Sequence, residues 1–255
     1  MLLLLCAAVG LIATSDPATA QGLTGAARWA DTVRRTLDAA VIVGDVNAIR
    51  NARALADRAL LAFPDDGLLL HYQGAAIWRE AQVRMGSGQE ADAKALFERA
   101  ITILQRSAAA KPLAETHAII SSSYGSLAGG GVMAGMRNGP KANDAEDLAK
   151  QLGPQNPRVL MLAAVSAFYK PAAFGGGKDK ARTALTKALA AFARDQVDPP
   201  LPSWGHAEAY AWLGQFEAAE GNRDAARRAY QRALELAPGY TWVSRVLLPA
   251  LDRPR

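Results

Sequence analysis

From about residue 28 onward, small and apolar side chains recur three and four positions apart, the periodicity of helices that bury one face. The pattern is clearest near the C-terminus, in "HAEAYAWLGQFEAAEGNRDAARRAYQRALELAPGY". There Gly221-Asn222 breaks the run and predicts two helices of roughly a dozen residues each. Gly214 and Ala226 are small enough to let those helices cross closely, and Tyr210, Leu213 and Tyr230 fill the space around the contact. Pro238 ends the second helix because it has no N–H to continue the ladder.

The same skeleton recurs upstream in weaker copies. Ala52, Ala56, Ala59 and Pro64 mark a second helix, with its first helix over 29–43. Gly74 marks the next first helix, and Ala93, Phe97 and Ala100 its second. Gly125 opens a third pair closed by Ala142, Ala149 and Pro154, and Ala164 a fourth closed by Ala181, Leu185 and Ala188. "TWVSRVLLPALD" predicts a short helix covering the last apolar face, as arrays of this kind require. The expectation is an all-α solenoid of about five helix-turn-helix pairs, at 28–64, 67–112, 117–154, 157–195 and 206–238, with a cap at 239–252.

The last pair resembles a tetratricopeptide repeat (TPR). Tyr210, Leu213 and Gly214 take the first-helix places of that 34-residue pattern, Ala226 and Tyr230 the second-helix places, and Ala233 and Pro238 follow in step. Only Glu217 departs, where an aromatic is usual. Three stretches, "YKPAAFGGGKDKARTALTKALAAF", "LPSWGHAEAYAWLG" and "ARRAYQRALELAPGYTWVSRVLLPAL", are similar to an uncharacterised family of secreted bacterial TPR proteins. The arrangement also resembles in architecture the T-component of tripartite (TRAP-type) transporters, a periplasmic repeat protein that partners a solute-binding protein. That component is typically a lipoprotein, a role Cys6 fits poorly.

The N-terminus has a different pattern. Leu2 to Ala13 is apolar but for Gly10, too short to span a bilayer, which takes roughly 20 such residues. Ala18-Thr19-Ala20 has the small-x-small form of a signal-peptidase site, so 1–20 reads as a signal peptide cleaved after Ala20 and the remainder as an exported, periplasmic domain with no transmembrane helix. A lipoprotein on Cys6 and an uncleaved anchor are the lesser alternatives. Cleavage removes Cys6, the single cysteine, and with it disulfide and thiolate chemistry. It also removes Asp16, leaving 29 basic residues against one fewer than the 24 acidic ones of the whole chain. That mild excess permits an acidic partner or anionic surface; export argues against nucleic acid.

"YKPAAFGGGKDKA" invites comparison with a phosphate-binding loop. Such a loop needs G-x-x-x-x-G-K-[ST] between strand and helix. Here Ala172 stands where the first glycine should be, Asp179 where the Ser or Thr should be, and no strand precedes. The stretch fits instead as an enlarged turn between paired helices. Gly74 to Ala93, Gly125 to Ala142 and Ala164 to Ala181 are all longer than the corresponding Gly214 to Ala226, and the extra residues are glycine-rich each time. Three such loops would line one edge of the solenoid, as a binding edge or as turns that need positive φ angles.

The candidate contact residues follow from that geometry. Phe174, Gly175, Gly176 and Gly177 belong to the edge. First-helix positions His71, Ala75, Trp78, Ser122, Ser126, Met161, Val165, Phe168, Glu208 and Gln215 line a concave groove suited to a peptide or an apolar ligand. Their alternative is helix-to-helix packing. His71, His117 and His206 lack metal-ligand spacing and read as surface or capping histidines. Ser121-Ser122-Ser123 lacks a nucleophile frame. Trp204, after the proline-rich "DPPLPS", reads as an anchor for the fifth unit, and Tyr240 and Trp242 as packing for the cap. No catalytic residue, metal or cofactor is implied. The expected function is that of an exported, non-catalytic scaffold for a protein or peptide. The alternative is a periplasmic accessory of a solute transporter holding a small apolar or organic-acid ligand.

Overall fold

A computed structural model describes Leu23 and residues 25–253; the expected signal peptide lies outside the described residues. Ten helices pair in sequence: α1 (Gly25–Val43) with α2 (Val46–Ala62), α3 (Gly67–Gly86) with α4 (Glu90–Ala110), α5 (Ala114–Ala128) with α6 (Val132–Leu152), α7 (Pro157–Tyr169) with α8 (Lys178–Phe192), and α9 (His206–Ala219) with α10 (Arg223–Leu236). A π turn over Val243–Leu247 and α11 (Leu248–Asp252) close the described chain, and no strand occurs among the described residues. Asp45, Asp66 and Asn156 cap α2, α3 and α7 by accepting backbone N–H groups of the first turn, which defines where those helices begin.

Each second helix buries one alanine stripe. Ala52, Ala56 and Ala59 on α2, Ala93 and Ala100 on α4, Ala142 and Ala149 on α6, Ala181 and Ala188 on α8, and Ala226 and Ala233 on α10 are all buried. Small residues there let the helices of a pair approach, and large ones fill the flanks. Glycine has this role on two first helices. A Cβ on Gly74 would lie 2.6 Å from Leu104 Cγ, and one on Gly214 would overlap the Tyr230 ring. Gly214→Ala is therefore expected to lose about 1–3 kcal/mol by overpacking. Urea unfolding measures it, and a midpoint equal to wild type would show that the crossing has slack.

The expected row of three glycine-rich loops does not form. In unit two α3 runs through Gly86, leaving a turn at 87–89, and in unit three α6 starts at Val132 after a turn at 129–131. The additional residues are helix, so the two units have longer helices, not longer loops. Gly135 lies within α6 without a close approach that requires it, since a Cβ there would meet the Ala128 carbonyl at an ordinary 3.6 Å. Pro140 sits within α6 on its exposed side, where solvent can take the bond its ring prevents. Only unit four has an enlarged turn, at 170–177.

The array also closes on itself. Ile42, at the end of α1, packs into the C-terminal cluster of Tyr230, Tyr240 and Val243. Residues 193–205, between α8 and α9, run back across the concave face instead of linking adjacent units directly. Arg158, fully buried at the start of α7, pairs with Asp195 and holds the departure of that segment.

Candidate functional site

The concave face divides into a sealed half and an open half. In the sealed half the proline-rich segment lies on the first helices of units one and two. Tyr72 donates to the Pro200 carbonyl, and Arg34 Nη1 donates to Ser203 Oγ at 2.7 Å. Trp204 packs on Trp78 with ring centroids 5.8 Å apart, and the Arg79 guanidinium lies over both rings, at 4.4 and 4.8 Å. Arg79 also makes a bidentate pair with Glu208, both bonds 2.7 Å, with both side chains nearly excluded from water. Trp204 thus anchors the chain to unit two across the groove, beyond the entry to unit five that sequence assigned to it.

Several expected groove residues lie inside this seal. Trp78, Met161 and Glu208 are buried, and Trp78 Nε1 donates to Ser122 Oγ at 3.3 Å. His71 is completely buried, which corrects its placement on a groove or surface. Its Nδ1 shares a 2.8 Å bond with Thr116 Oγ1, while Nε2 has no partner. Burial holds the imidazole neutral, with its pKa lowered to about 4. Nearby Asp38 is pushed the other way, to about 6. Partial burial of its carboxyl, whose side chain is 29% exposed and 3.6 Å from Arg34 Nη1, outweighs Arg34, Arg79 and Arg158, and Glu208 adds to the rise.

The open half lies toward the other ends of the first helices. Phe168 stacks on Phe216 at 4.3 Å and nearly parallel. Tyr169, 65% exposed, meets the Trp212 ring edge-on at 6.2 Å, and Trp212 meets Trp242 at 5.7 Å. Tyr169, Trp212 and Trp242 thus form a partly exposed aromatic row across units four, five and the cap. Ser126, a turn beyond Ser122 on α5, is part-buried and returns its hydroxyl to the Ser122 carbonyl. Gln215 does not face this row. It lines a separate cavity of about 260 Å³ between α9, α10 and the cap, with Arg223, Tyr230, Leu247 and Arg253, and its buried Nε2 has no partner.

The unit-four loop brings Gly175, Gly176 and Gly177 together, but not as an anion cradle. Their N–H groups donate to the carbonyls of Ala172, Pro171 and Ala167 at 3.0, 3.1 and 2.8 Å. No glycine amide remains to meet a phosphate. Gly175 and Gly177 have φ of 87° and 129°, and any Cβ on Gly176 would collide with the Lys170 carbonyl. The glycines are required by the turn itself, and Phe174 projects from it.

Sequence reasoning missed Tyr169, Trp212 and Arg79. Trp212 could have been found: it lies four residues after Glu208 on the same helix face. Arg79 could not, because its partner is 129 positions away. Among the described residues no group of three or more His, Cys, Asp or Glu is disposed to hold a metal ion, and no helix is long and apolar enough to cross a membrane.

Five stacked helix pairs with buried alanine stripes and a capping helix define an α-solenoid of helical hairpins. The fold is that of a tetratricopeptide-repeat protein, and residues 207–240 match the family model described as "Tetratricopeptide repeat". Among solved structures, a thermophilic TPR protein of Thermus thermophilus superposes with a TM-score of 0.59 at 21% identity, covering 87% of this chain and 98% of that one. YrrB, described as a TPR protein with an unusual peptide-binding site, aligns at 15% identity over 86% of this chain and 96% of its own, with a TM-score of 0.34. The Cut9–Hcn1 hetero-tetramer of the APC/C aligns at 20% identity over 89% of this chain and 38% of its own, with a TM-score of 0.46. At these identities the likeness is one of fold. No curated protein matches the sequence.

Proposed function

We propose that this protein is an exported, non-catalytic scaffold that holds an extended segment of a protein partner in the open half of its concave face. The fold supports a protein- or peptide-binding role, since stacked helix pairs present an extended concave surface. The observation that carries the reading is the partly exposed aromatic row of Tyr169, Trp212 and Trp242. Half-buried aromatics on a rigid frame supply large contact area at little cost in side-chain entropy. The sealed half supports the reading, because it already carries a proline-rich stretch of this chain, held by a tyrosine hydroxyl and a tryptophan. The apolar leader motivates export. A second reading, a solute-carrying accessory, draws on the 260 Å³ cavity, where two arginines and the unpaired Gln215 amide would suit a small acid.

The test begins with a photo-crosslinker at position 169 in the native host, and mass spectrometry of the adducts. A synthetic peptide of the crosslinked segment is then titrated against wild type and Trp212→Ala. Binding at least tenfold weaker in the variant, with unchanged helical circular dichroism, is expected. Equal affinity, or adducts that map to no common segment, would overturn the groove. A small acid retained in native mass spectra in place of a peptide would shift the function to the second reading.

A further inference from the structure

The edge bearing the turns from first to second helices has a composition that the concave face does not explain. α6 overhangs its partner. Residues 132–141 precede its first buried position, Ala142, and Val132, Met133 and Met136 are 81, 72 and 71% exposed. In the next unit Phe174, 74% exposed, stands at the tip of the glycine loop. The two features are neighbours. Lys170, at the base of the loop, donates to Asn143 Oδ1 on α6 at 2.8 Å, and Met136 lies seven residues along that helix, about 10 Å away.

The same edge is cationic. Arg137 and Lys141 follow the methionines on α6, and Lys178 follows the loop. All three are exposed and, among the described residues, none is in an ion pair, although the Lys141 ammonium lies 5.5 Å from the centre of the Tyr124 ring. Asp179 and Asp144 are the nearest acids in sequence, and neither pairs with them. Large exposed apolar side chains at a helix end and a loop tip, flanked by three cations outside any ion pair while Lys170 at the loop base pairs with Glu146 at 3.8 Å, match a fluid surface with apolar depth and anionic headgroups. A folded protein partner would need a pocket shaped to each tip, whereas lipid conforms to them. Lysine and arginine near such a surface draw it in electrostatically, and the inserted tips then hold it.

We propose that this edge docks the protein on an anionic lipid surface, with Val132, Met133, Met136 and Phe174 entering the interface and Arg137, Lys141 and Lys178 meeting the headgroups. The docked solenoid would leave its concave face open alongside the membrane. The lipid contact does not depend on the peptide groove, and each can fail without the other.

The chain lacking residues 1–20 is sedimented with vesicles of phosphatidylcholine containing about 30% phosphatidylglycerol, and with pure phosphatidylcholine. Binding to the anionic vesicles that weakens at about 0.5 M salt is expected. Met133→Ser/Met136→Ser/Phe174→Ser should reduce partitioning at least tenfold at unchanged helicity, and Arg137→Gln/Lys141→Gln/Lys178→Gln should remove the preference for phosphatidylglycerol. Neutralising Arg58, Arg106 and Arg194, which lie at or just past the opposite ends of second helices, should leave binding intact. The proposal is overturned if wild type stays in the supernatant, if the serine variant binds equally, or if the control triple neutralisation weakens binding as much. It is also overturned if the serine substitutions alter only self-association in sedimentation velocity, which would make the edge a contact between copies.

Discussion

Glu208→Ala is expected to destabilise the protein by about 3–5 kcal/mol, the loss that follows when one member of a buried ion pair is left without the other. Arg79 would keep its charge between Trp78 and Trp204 with both 2.7 Å bonds gone. Two measurements check this. Denaturant unfolding gives the loss, and hydrogen exchange over residues 195–205 shows whether the proline-rich segment loosens with it. The double substitution Arg79→Met/Glu208→Leu should recover most of the stability, since a packed apolar pair has no unpaired charge to bury. Its exchange should still be fast if the ion pair is what registers the segment on unit two. A Glu208→Ala variant within about 1 kcal/mol of wild type would mean that water reaches Arg79 freely, at the level of an exposed pair.

That ion pair explains why the concave face is divided. A solenoid whose units follow one another by short turns leaves the whole inner surface open. Here the connection between units four and five is long and returns across units one and two. Arg158 with Asp195 holds its start, Tyr72 and Arg34 its middle, and Arg79 with Glu208 its end. The fifth unit is thereby placed against the first, with Ile42 in the C-terminal cluster. The open surface that remains is the aromatic row, which the seal borders.

The helix pairs were legible because their cause is local. Alanines three, four and seven positions apart, glycine at the crossing and proline after the second helix are all set by packing within about 34 residues. The loops of units two and three were misread for a related reason. Glycine and proline weaken a helix by propensity, yet Gly86 ends α3 and Gly135, Gly139 and Pro140 lie within α6, continuing helices whose remaining turns are buried against their partners. The division of the groove was not legible. It depends on Tyr72 meeting Pro200 and Arg79 meeting Glu208, pairs 128 and 129 positions apart with no signature in spacing. The same absence left His71 on a surface in sequence, although Thr116 and the closure bury it completely.

Two groups in the sealed half lead to the second large prediction. His71, with its pKa lowered to about 4 from 6.5, is neutral in the folded protein at pH values where the unfolded chain takes up a proton. Its stability is complete above pH 6.5 and is lost as pH falls toward 4, by about 3 kcal/mol in all. Asp38, raised to about 6 from 3.8, has the opposite sign. The folded protein favours the neutral acid, so stability from this group is highest below pH 3.8 and is lost as pH rises through 6, by about 1 kcal/mol for a side chain 29% exposed and 3.6 Å from Arg34. Between pH 4 and 6 the two slopes offset each other. Asp38→Asn should therefore gain on wild type as pH rises toward roughly 8, where the part-buried carboxylate is charged, by about 1 kcal/mol once its partial exposure and its pair with Arg34 are set against the burial. The gain should shrink through pH 6 and vanish near pH 4. His71→Gln should carry a constant deficit above pH 6.5, from the lost Thr116 bond, that narrows toward pH 4. Unfolding free energies of the variants against wild type, measured at half-unit steps from about pH 4 to 8, isolate these slopes from the other carboxylates. A difference between Asp38→Asn and wild type that does not change with pH would show that Asp38 titrates as an exposed acid, and that water enters the sealed half.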